Sequence, residues 1–156
     1  MARDPSPAPA TLLLTDFVPF RLNRLAEAVS RNLSEIYRQR FGLEIPEWRV
    51  LVTLGQRRDC TSRKVSASTR MHKTRVSRAV ASLAERKLIE RARTHADGRE
   101  VPLQLTRAGR RMYAALVPLA LERERRLLSC MKDAERREFV SGLSRLERWL
   151  ELDTDE

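Results

Sequence analysis

Apolar residues recur at helical spacing near both ends of the chain. In each case they step by three or four residues, which places them on one side of a helix. The two stripes consist of Leu22, Leu25, Val29, Leu33 and Ile36 near the amino terminus, and Phe139, Leu143, Leu146 and Leu150 near the carboxyl terminus. An amphipathic helix is stable only when its stripe packs against another surface. We therefore predict that the two ends come together and pair with the same helices of a second chain.

The segment between these stripes is strongly basic. From Gln56 to Arg111 it holds 16 Lys and Arg against 5 Asp and Glu, whereas the whole chain has a net charge of +10. The remainder of the chain is therefore close to neutral, and the excess lies in one contiguous third. Such an excess predicts a polyanionic partner, either nucleic acid or an acidic membrane surface. Its confinement to one segment is expected of a region that neutralises phosphates.

Turn signals divide the chain between the two stripes. Gly42 ends the first helical pattern as a C-terminal cap, and Pro46 opens a second helix. Two short helical patterns follow, and then two β-capable runs that flank a turn at Asp97-Gly98. The order helix, helix, β-hairpin is that of a winged helix-turn-helix. The predicted fold is mainly α, with N- and C-terminal helices that form a dimerisation region.

The composition of the termini completes the predicted organisation. We expect a disordered Pro-rich arm at residues 1–14, a first dimerisation helix at 15–45, the winged helix-turn-helix at 46–105 and C-terminal dimerisation helices at 106–156. The arm lacks the apolar core of a signal peptide, and no apolar run approaches the roughly 20 residues of a membrane span. We expect a cytoplasmic protein without a membrane partner, in which Cys60 and Cys130 are reduced thiols.

The second short helix of the basic segment carries the predicted DNA contacts. It is expected to run from near His72 to Lys87, with Val76, Val80 and Leu83 facing inward. Its first turns then present basic and hydroxyl side chains, which bind base edges and phosphates in a major groove. An ordinary solvated basic face is the competing interpretation. The candidate DNA-binding residues of this helix, the preceding helix and the hairpin are Lys64, Lys73, Thr74, Arg75, Ser77, Arg78, Arg93, Asp97 and Arg99.

The run from Lys64 to Arg111 resembles the MarR (multiple antibiotic resistance regulator) family. That family shows a recognition helix with a T-x-V-[ST]-R-like start, a K-G-L-[IV]-x-R exit, a D-x-R wing and L-T-x-x-G before a helix. The matching runs are Thr74-Arg75-Val76-Ser77-Arg78, Lys87-Leu88-Ile89-Glu90-Arg91, Asp97-Gly98-Arg99 and Leu105-Thr106-Arg107-Ala108-Gly109. One departure is that Lys87 runs directly into Leu88, without the usual glycine. With its flanking helices, the resemblance covers nearly the whole chain after Thr15.

The resemblance implies a homodimer whose terminal helices form the interface. Members usually repress transcription from a palindromic operator on double-stranded DNA. A small molecule that binds between the dimerisation helices and the winged helix-turn-helix releases these repressors from the DNA. Aromatic carboxylates, phenols and, in one branch, hydroxycinnamoyl-CoA thioesters are frequent effectors. The expected partners are therefore an operator, a second copy, and an aromatic acid or aromatic acyl-CoA.

An effector site is predicted around Trp48 and Arg49. A guanidinium beside an aromatic ring can hold a carboxylate against an apolar wall. Further candidates come from the first helix, although plain core packing is the competing interpretation for all of them. The candidate ligand-binding residues are Phe17, Phe20, Arg24, Tyr37, Trp48 and Arg49.

Three other functions are weighed against this one. A redox-sensing regulator would use Cys60 or Cys130, yet residues 11–40 hold no cysteine at the position of the family's peroxide-sensing branch. An architectural DNA-binding protein would use the basic segment without an effector, whereas RNA reading by base stacking needs aromatic residues that the hairpin lacks. An enzyme, a cofactor and a metal site are not expected, because no catalytic, phosphate-binding or metal-binding pattern is present.

Overall fold

The computed structural model describes residues 11–57, 60–92 and 101–152. Within them the chain forms six helices and one two-stranded sheet, which confirms the mainly helical winged-helix prediction. The predicted contacts at Arg93, Asp97 and Arg99, and most of the predicted arm, lie outside the described residues. The elements are α1 (Val18–Phe41), α2 (Ile45–Gln56), α3 (Ser62–Thr69), α4 (Lys73–Glu85), β1 (Ile89–Arg91), β2 (Leu103–Leu105), α5 (Arg107–Leu128) and α6 (Asp133–Trp149).

The helix ends follow the turn signals of the sequence. Gly42 takes the left-handed conformation, with φ at 58°, and its N–H donates to the carbonyl of Arg38 at 3.0 Å. Pro46 lies in the first turn of α2, where its missing N–H is not needed. Thr61 caps α3 by accepting from the N–H of Lys64. These caps confirm the predicted order of helices.

Residues 42–105, which we call the central module, contain nearly all of the buried core. The second helix of the helix-turn-helix, α4, packs mainly on α2. The two-stranded sheet packs against the same two helices. The buried hydrophobic residues of the module are Leu43, Val50, Leu51, Leu54, Cys60, Val65, Met71, Val76, Ala79, Leu83, Leu88, Ile89, Leu103 and Leu105. A core of this kind holds α4 in one orientation because its inward side chains are enclosed from several directions.

The sheet is an antiparallel hairpin that Cys60 extends by a bridge. Ile89 lies opposite Leu105 and Arg91 opposite Leu103, while the N–H of Leu103 donates to the carbonyl of Cys60 at 2.9 Å. Cys60 is buried at 1% exposure, and its burial raises the pKa of the thiol above the ordinary value. It packs as a small apolar residue of the wing.

The turn after α4 shows how the chain does without the glycine that usually lies between the lysine and the leucine of this motif. Lys87 has φ at 55°, so the lysine itself adopts the left-handed conformation for which glycine is favoured. The N–H of Leu88 then donates to the carbonyl of Leu83 at 2.9 Å and closes the helix. An L-residue in this conformation costs about 1 kcal/mol. The turn is therefore made without glycine at a local cost in backbone strain.

The run from Leu105 to Gly109 locks α5 onto this turn. The hydroxyl of Thr106 donates to the carbonyl of Lys87 at 2.7 Å and accepts from the N–H of Gly109 at 3.1 Å. A Cβ at position 109 would lie 1.9 Å from the carbonyl oxygen of Leu88. Only glycine allows the first turn of α5 to approach the backbone of Leu88 this closely.

The terminal helices, α1, α5 and α6, leave much of their apolar surface uncovered. α6 has no buried residue and makes little contact with the other described elements. Leu22 and Leu25 of α1 and Leu146 of α6 are 39%, 49% and 45% exposed. α5 continues through Pro118, where the sequence predicts a bend. Among the described residues, no helix has both the length and the apolar composition needed to cross a membrane.

Candidate nucleic-acid interface

α4 is anchored through its inward face and its amino-terminal cap. Val76 and Leu83 are buried as predicted, Val80 is partly buried, and Ala79 joins them although the pattern did not single it out. His72 caps the helix, because its Nδ1 accepts from the N–H of Thr74 at 3.3 Å. This cap was missed, since histidine is not among the usual capping residues. The opposite face of α4 is consequently fixed in direction.

The outward face of α4 carries the predicted contacts in an accessible form. The side chains of Arg75 and Arg78 form no ion pair or hydrogen bond with any described part of the chain, so both guanidiniums are available to a partner. Thr74 is partly engaged, because its hydroxyl lies 3.1 Å from His72 Nδ1. All five predicted residues of this helix are exposed, namely Lys73, Thr74, Arg75, Ser77 and Arg78.

The first turn of α4 favours an anion for a second reason. It holds no acidic residue, so the partial positive charge of its N–H groups adds to that of the basic side chains. α3 begins in the same way, with an exposed Lys64 in its first turn and no carboxylate there. The turn between the two helices is held by Ser66, whose hydroxyl donates to the carbonyl of Met71 at 2.7 Å. Both helix starts can bind phosphate or base-edge acceptors.

The hairpin contributes less to the described surface. Arg91 is exposed at the end of β1, which places one arginine at the base of the wing. Gln104 on the facing strand donates to the carboxylate of Glu90 at 2.9 Å and ties the two strands together. The contacts at the tip, Arg93, Asp97 and Arg99, remain predictions.

The predicted effector residues fall into two groups. Tyr37 and Trp48 come together, with ring centroids 4.6 Å apart, at the contact of α1 with α2. Tyr37 is only 1% exposed, and its hydroxyl has no hydrogen-bond partner in the described chain. Burial raises the pKa of Tyr37, so the hydroxyl keeps its proton. An unpartnered buried hydroxyl costs about 1–3 kcal/mol, which a bound acceptor would recover.

The other group lies far from this contact within one chain. Phe17 and Phe20 are near the start of α1 and Arg24 follows in its second turn, while Tyr37 belongs to its last turns. At 1.5 Å per residue this separation is roughly 20–30 Å. Arg24 instead lines a shallow groove of about 450 Å³ on α1 itself. A single chain therefore does not gather all six candidates into one pocket.

Comparison with known proteins agrees with this geometry. The model of the MarR family matches residues 41–100. A MarR/EmrR family transcriptional regulator from Acinetobacter sp. ADP1 is 30% identical, has a TM-score of 0.81, and the match covers 91% of this chain and 100% of that one. No match to this chain is found among curated proteins.

Three solved complexes share the fold at lower identity. MepR of S. aureus bound to DNA is 18% identical (TM-score 0.74, covering 83% of this chain and 96% of that one). CouR of Rhodococcus jostii RHA1 bound to p-coumaroyl-CoA is 20% identical (0.73, 87% and 95%). Rv2887 of Mycobacterium tuberculosis bound to salicylic acid is 21% identical (0.69, 85% and 98%).

Proposed function

The chain belongs to the MarR family of transcriptional regulators, and we propose that it is a repressor that binds a palindromic operator as a homodimer. The matching family and structures are those of regulators rather than enzymes. In this proposal a small aromatic acid, or its CoA thioester, releases the protein from DNA. The observation that carries it is the pair of exposed guanidiniums of Arg75 and Arg78, which have no partner among the described residues and lie on a helix that is capped and packed on its other side.

Operator reading is tested with substitutions on α4. Arg75→Ala or Arg78→Ala should cost about 1–3 kcal/mol on the DNA upstream of the protein's own gene, and much less on random duplex, because base-edge contacts are sequence-specific. Lys64→Ala, proposed as a phosphate contact, should weaken binding to both alike and flatten the salt dependence. Fluorescence anisotropy at several salt concentrations measures both effects.

One result would favour an architectural DNA-binding protein instead. If the parent protein binds its upstream DNA and random duplex equally, and all three variants lose affinity in parallel on both, α4 does not read bases. A structured RNA serves as a third probe, because equal affinity for the upstream DNA, the random duplex and the RNA would favour the architectural protein.

Support for the homodimer comes from the terminal helices. The apolar side chains along one face of α6 are partly or fully exposed, with Leu146 at 45% and Leu150 at 54%. The uncovered apolar side of α1 has the same character. A two-fold axis would bury both stripes and place two α4 helices side by side. Their spacing must be roughly 34 Å for successive major grooves, which a palindromic operator provides.

The proposed effector binds near Trp48 and Arg49. CouR with p-coumaroyl-CoA and Rv2887 with salicylic acid are fold relatives whose ligands are aromatic acids or a thioester of one. The orphaned hydroxyl of Tyr37 supplies a donor for a carboxyl or thioester oxygen next to the ring of Trp48. The candidates at the start of α1, including Phe20 and Arg24, would have to come from the second copy.

The effector is tested by releasing the protein from its upstream DNA. Salicylate, p-coumarate and p-coumaroyl-CoA are titrated, and a ligand that prefers the released state about 100-fold supplies about 2.7 kcal/mol of coupling. Trp48→Ala and Arg49→Ala should each abolish release. If release survives both substitutions, the effector class is right and the site is wrong. If no compound acts at millimolar concentration while hydrogen peroxide does, the protein is a redox sensor.

A further inference from the structure

The carboxyl-terminal ends of α1 and α4 meet in a polar cluster that we call the Arg86–Glu47 joint. It consists of the side chains of Glu47, Ser82 and Arg86 with the backbone carbonyls of Phe41 and Gly42. Arg86 Nη2 donates to the carbonyl of Phe41 at 2.7 Å, and Nη1 donates to that of Gly42 at 2.9 Å. The end of a helix leaves such carbonyls without helical partners. One guanidinium therefore fastens the end of α4 to the end of α1.

Glu47 connects the same guanidinium to the start of α2. Its carboxylate lies 3.9 Å from Arg86, accepts the hydroxyl of Ser82, and accepts the N–H of Glu44 at 2.7 Å. The side chains of Glu47 and Arg86 are only 12% and 34% exposed. A shielded carboxylate with two hydrogen-bond donors and a guanidinium beside it has one preferred position, because each displacement breaks a charge-assisted hydrogen bond or separates the ion pair. The joint thus ties three helices at one point.

A second ion pair at the same junction provides a comparison. Arg38 and Glu44 lie 3.8 Å apart, but their side chains are 63% and 64% exposed. This pair joins α1 to the start of α2 and does not involve α4. Exposed pairs contribute little to stability or geometry because water competes for both charges. Arg38 is therefore a matched control for Arg86.

We propose that Arg86 is a positioning residue, which sets the angle of α4 relative to α1 through the joint. α4 is 13 residues long, and the joint holds the end opposite to Arg75 and Arg78. Over a helix about 20 Å long, a tilt of about 10° moves the first turn by about 3 Å. A preorganised site tolerates only about 0.5 Å. The inference rests on the proposed function, because it requires α4 to read base edges.

The joint also adjoins the proposed effector site. Tyr37 lies one helical turn before Phe41, and Trp48 follows Glu47 directly. A molecule that parts the rings of Tyr37 and Trp48 displaces the two helix ends from which the joint takes its carbonyls and its carboxylate. Occupation of that site is then transmitted to α4 as a change of angle, and no contact between effector and DNA is needed.

The test compares Arg86→Ala with Arg38→Ala on the upstream DNA and on random duplex, across a series of salt concentrations. Arg86→Ala should lose about tenfold in affinity for the upstream DNA, and much less on random duplex. The slope of log affinity against log salt should stay unchanged, because no phosphate contact is removed. Arg38→Ala should change either affinity by about twofold or less.

Two further variants separate positioning from folding. Arg86→Lys keeps the charge but cannot span both carbonyls, and Glu47→Gln keeps the shape but not the charge, so each should show a part of the loss. Glu47→Gln combined with Arg86→Ala should lose no more than Arg86→Ala alone, since both act through one joint. Equal losses for Arg86→Ala and Arg38→Ala, or a salt slope reduced by about one in Arg86→Ala, would overturn the proposal.

Transmission from the effector site is measured by ¹⁹F NMR of protein labelled with 5-fluorotryptophan. The chain has two tryptophans, and the Trp149→Phe spectrum serves only to assign the Trp48 resonance. Saturating p-coumaroyl-CoA should shift that resonance in the parent protein and in Arg86→Ala alike, while DNA release becomes weaker in Arg86→Ala. Unchanged release in that variant refutes transmission through the joint. A Trp48 resonance that never responds refutes the proposed effector site instead, and the salt series still decides the positioning role.

Discussion

The central module buries its apolar side chains, whereas the terminal helices leave many of theirs exposed. Of the buried hydrophobic residues in the described chain, all but Tyr37 and Leu116 lie in the central module. Of the large hydrophobic residues that are exposed, all but Val101 lie in the terminal helices or in the segments next to them. The central module completes its core within one chain. The terminal helices leave an apolar surface uncovered among the described residues, and the proposed second copy would cover it.

The largest expected effect comes from charging the proposed interface. Leu143→Asp together with Leu146→Asp should reduce the free energy of dimerisation by about 8 kcal/mol, since the homodimer loses four leucines and each contributes about 2 kcal/mol when it is buried. Sedimentation equilibrium should then detect protomers at concentrations where the parent protein is dimeric. Circular dichroism should show that the helices of the central module remain folded.

The control for this variant lies on the opposite face of α6. Ser141 and Ser144 are both exposed and point away from the apolar stripe. Ser141→Asp together with Ser144→Asp adds the same charge and should leave the dimer intact. Equal dissociation of the two double variants would show that the apolar stripe is not the interface, and that the contrast between the two regions has another origin.

A pair of glycines compares two positions in the terminal helices, one that packs against the central module and one with open space around it. Gly109→Ala should lower the free energy of unfolding by about 3 kcal/mol, because its Cβ would collide with the carbonyl of Leu88. Gly142→Ala in α6 has no atom within 4 Å of the new Cβ and should raise the free energy of unfolding by about 0.5 kcal/mol. Urea denaturation measures both. Two losses of similar size would mean that α6 is already tightly packed.

Backbone strain at the end of α4 gives a smaller effect. Lys87→Gly should raise the free energy of unfolding by about 0.5 kcal/mol, because relief of the left-handed conformation exceeds the freedom that glycine gains in the unfolded chain. Ala84→Gly, one turn earlier and helical, should lower it by about 1 kcal/mol. Thermal unfolding should show a higher stability for Lys87→Gly and a lower stability for Ala84→Gly. A lower stability for Lys87→Gly would contradict the proposed backbone strain.

The reactivity of the two cysteine thiols compares the two regions without any substitution. Cys130 is exposed beyond α5, whereas Cys60 is buried and its pKa is raised by that burial. Because the thiolate is the reactive form, Cys60 stays protonated and inert at neutral pH. One thiol per chain should therefore react with a disulfide reagent in the native protein, and both should react in denaturant. Prompt reaction of Cys60 would show that the wing opens.

Much of the fold was predictable because its signals are local. Gly42 indicates the end of α1 and Pro46 the beginning of α2. The spacing of apolar residues from Val76 to Leu83 identifies the inward face of α4. The candidate contacts on α4 follow from the same periodicity, since the residues left outside the stripe must face away from the core. The run from Thr106 to Gly109 also places the start of α5, although its pattern does not say which carbonyl the glycine approaches.

Long-range contacts were not predictable, because nothing in the spacing of residues specifies them. Arg86 lies 45 residues from Phe41, and Ser82 lies 35 residues from Glu47, so no local pattern pairs them. The effector candidates show the same limit. Tyr37 meets Trp48 across two helices, whereas Phe17 and Phe20 are separated from that contact by the length of α1.

The sequence alone determined the kind of protein: helices, a basic outward face on α4, a hairpin, and amphipathic helices near both ends. These depend on intrinsic backbone preferences and on periodicity, which act over a few residues. The tertiary structure decided how α4 is held. The guanidinium of Arg86 binds carbonyls and a carboxylate that are distant in sequence, and Lys87 adopts a backbone conformation that favours glycine. Both features arise because the packing of the whole module outweighs local preference.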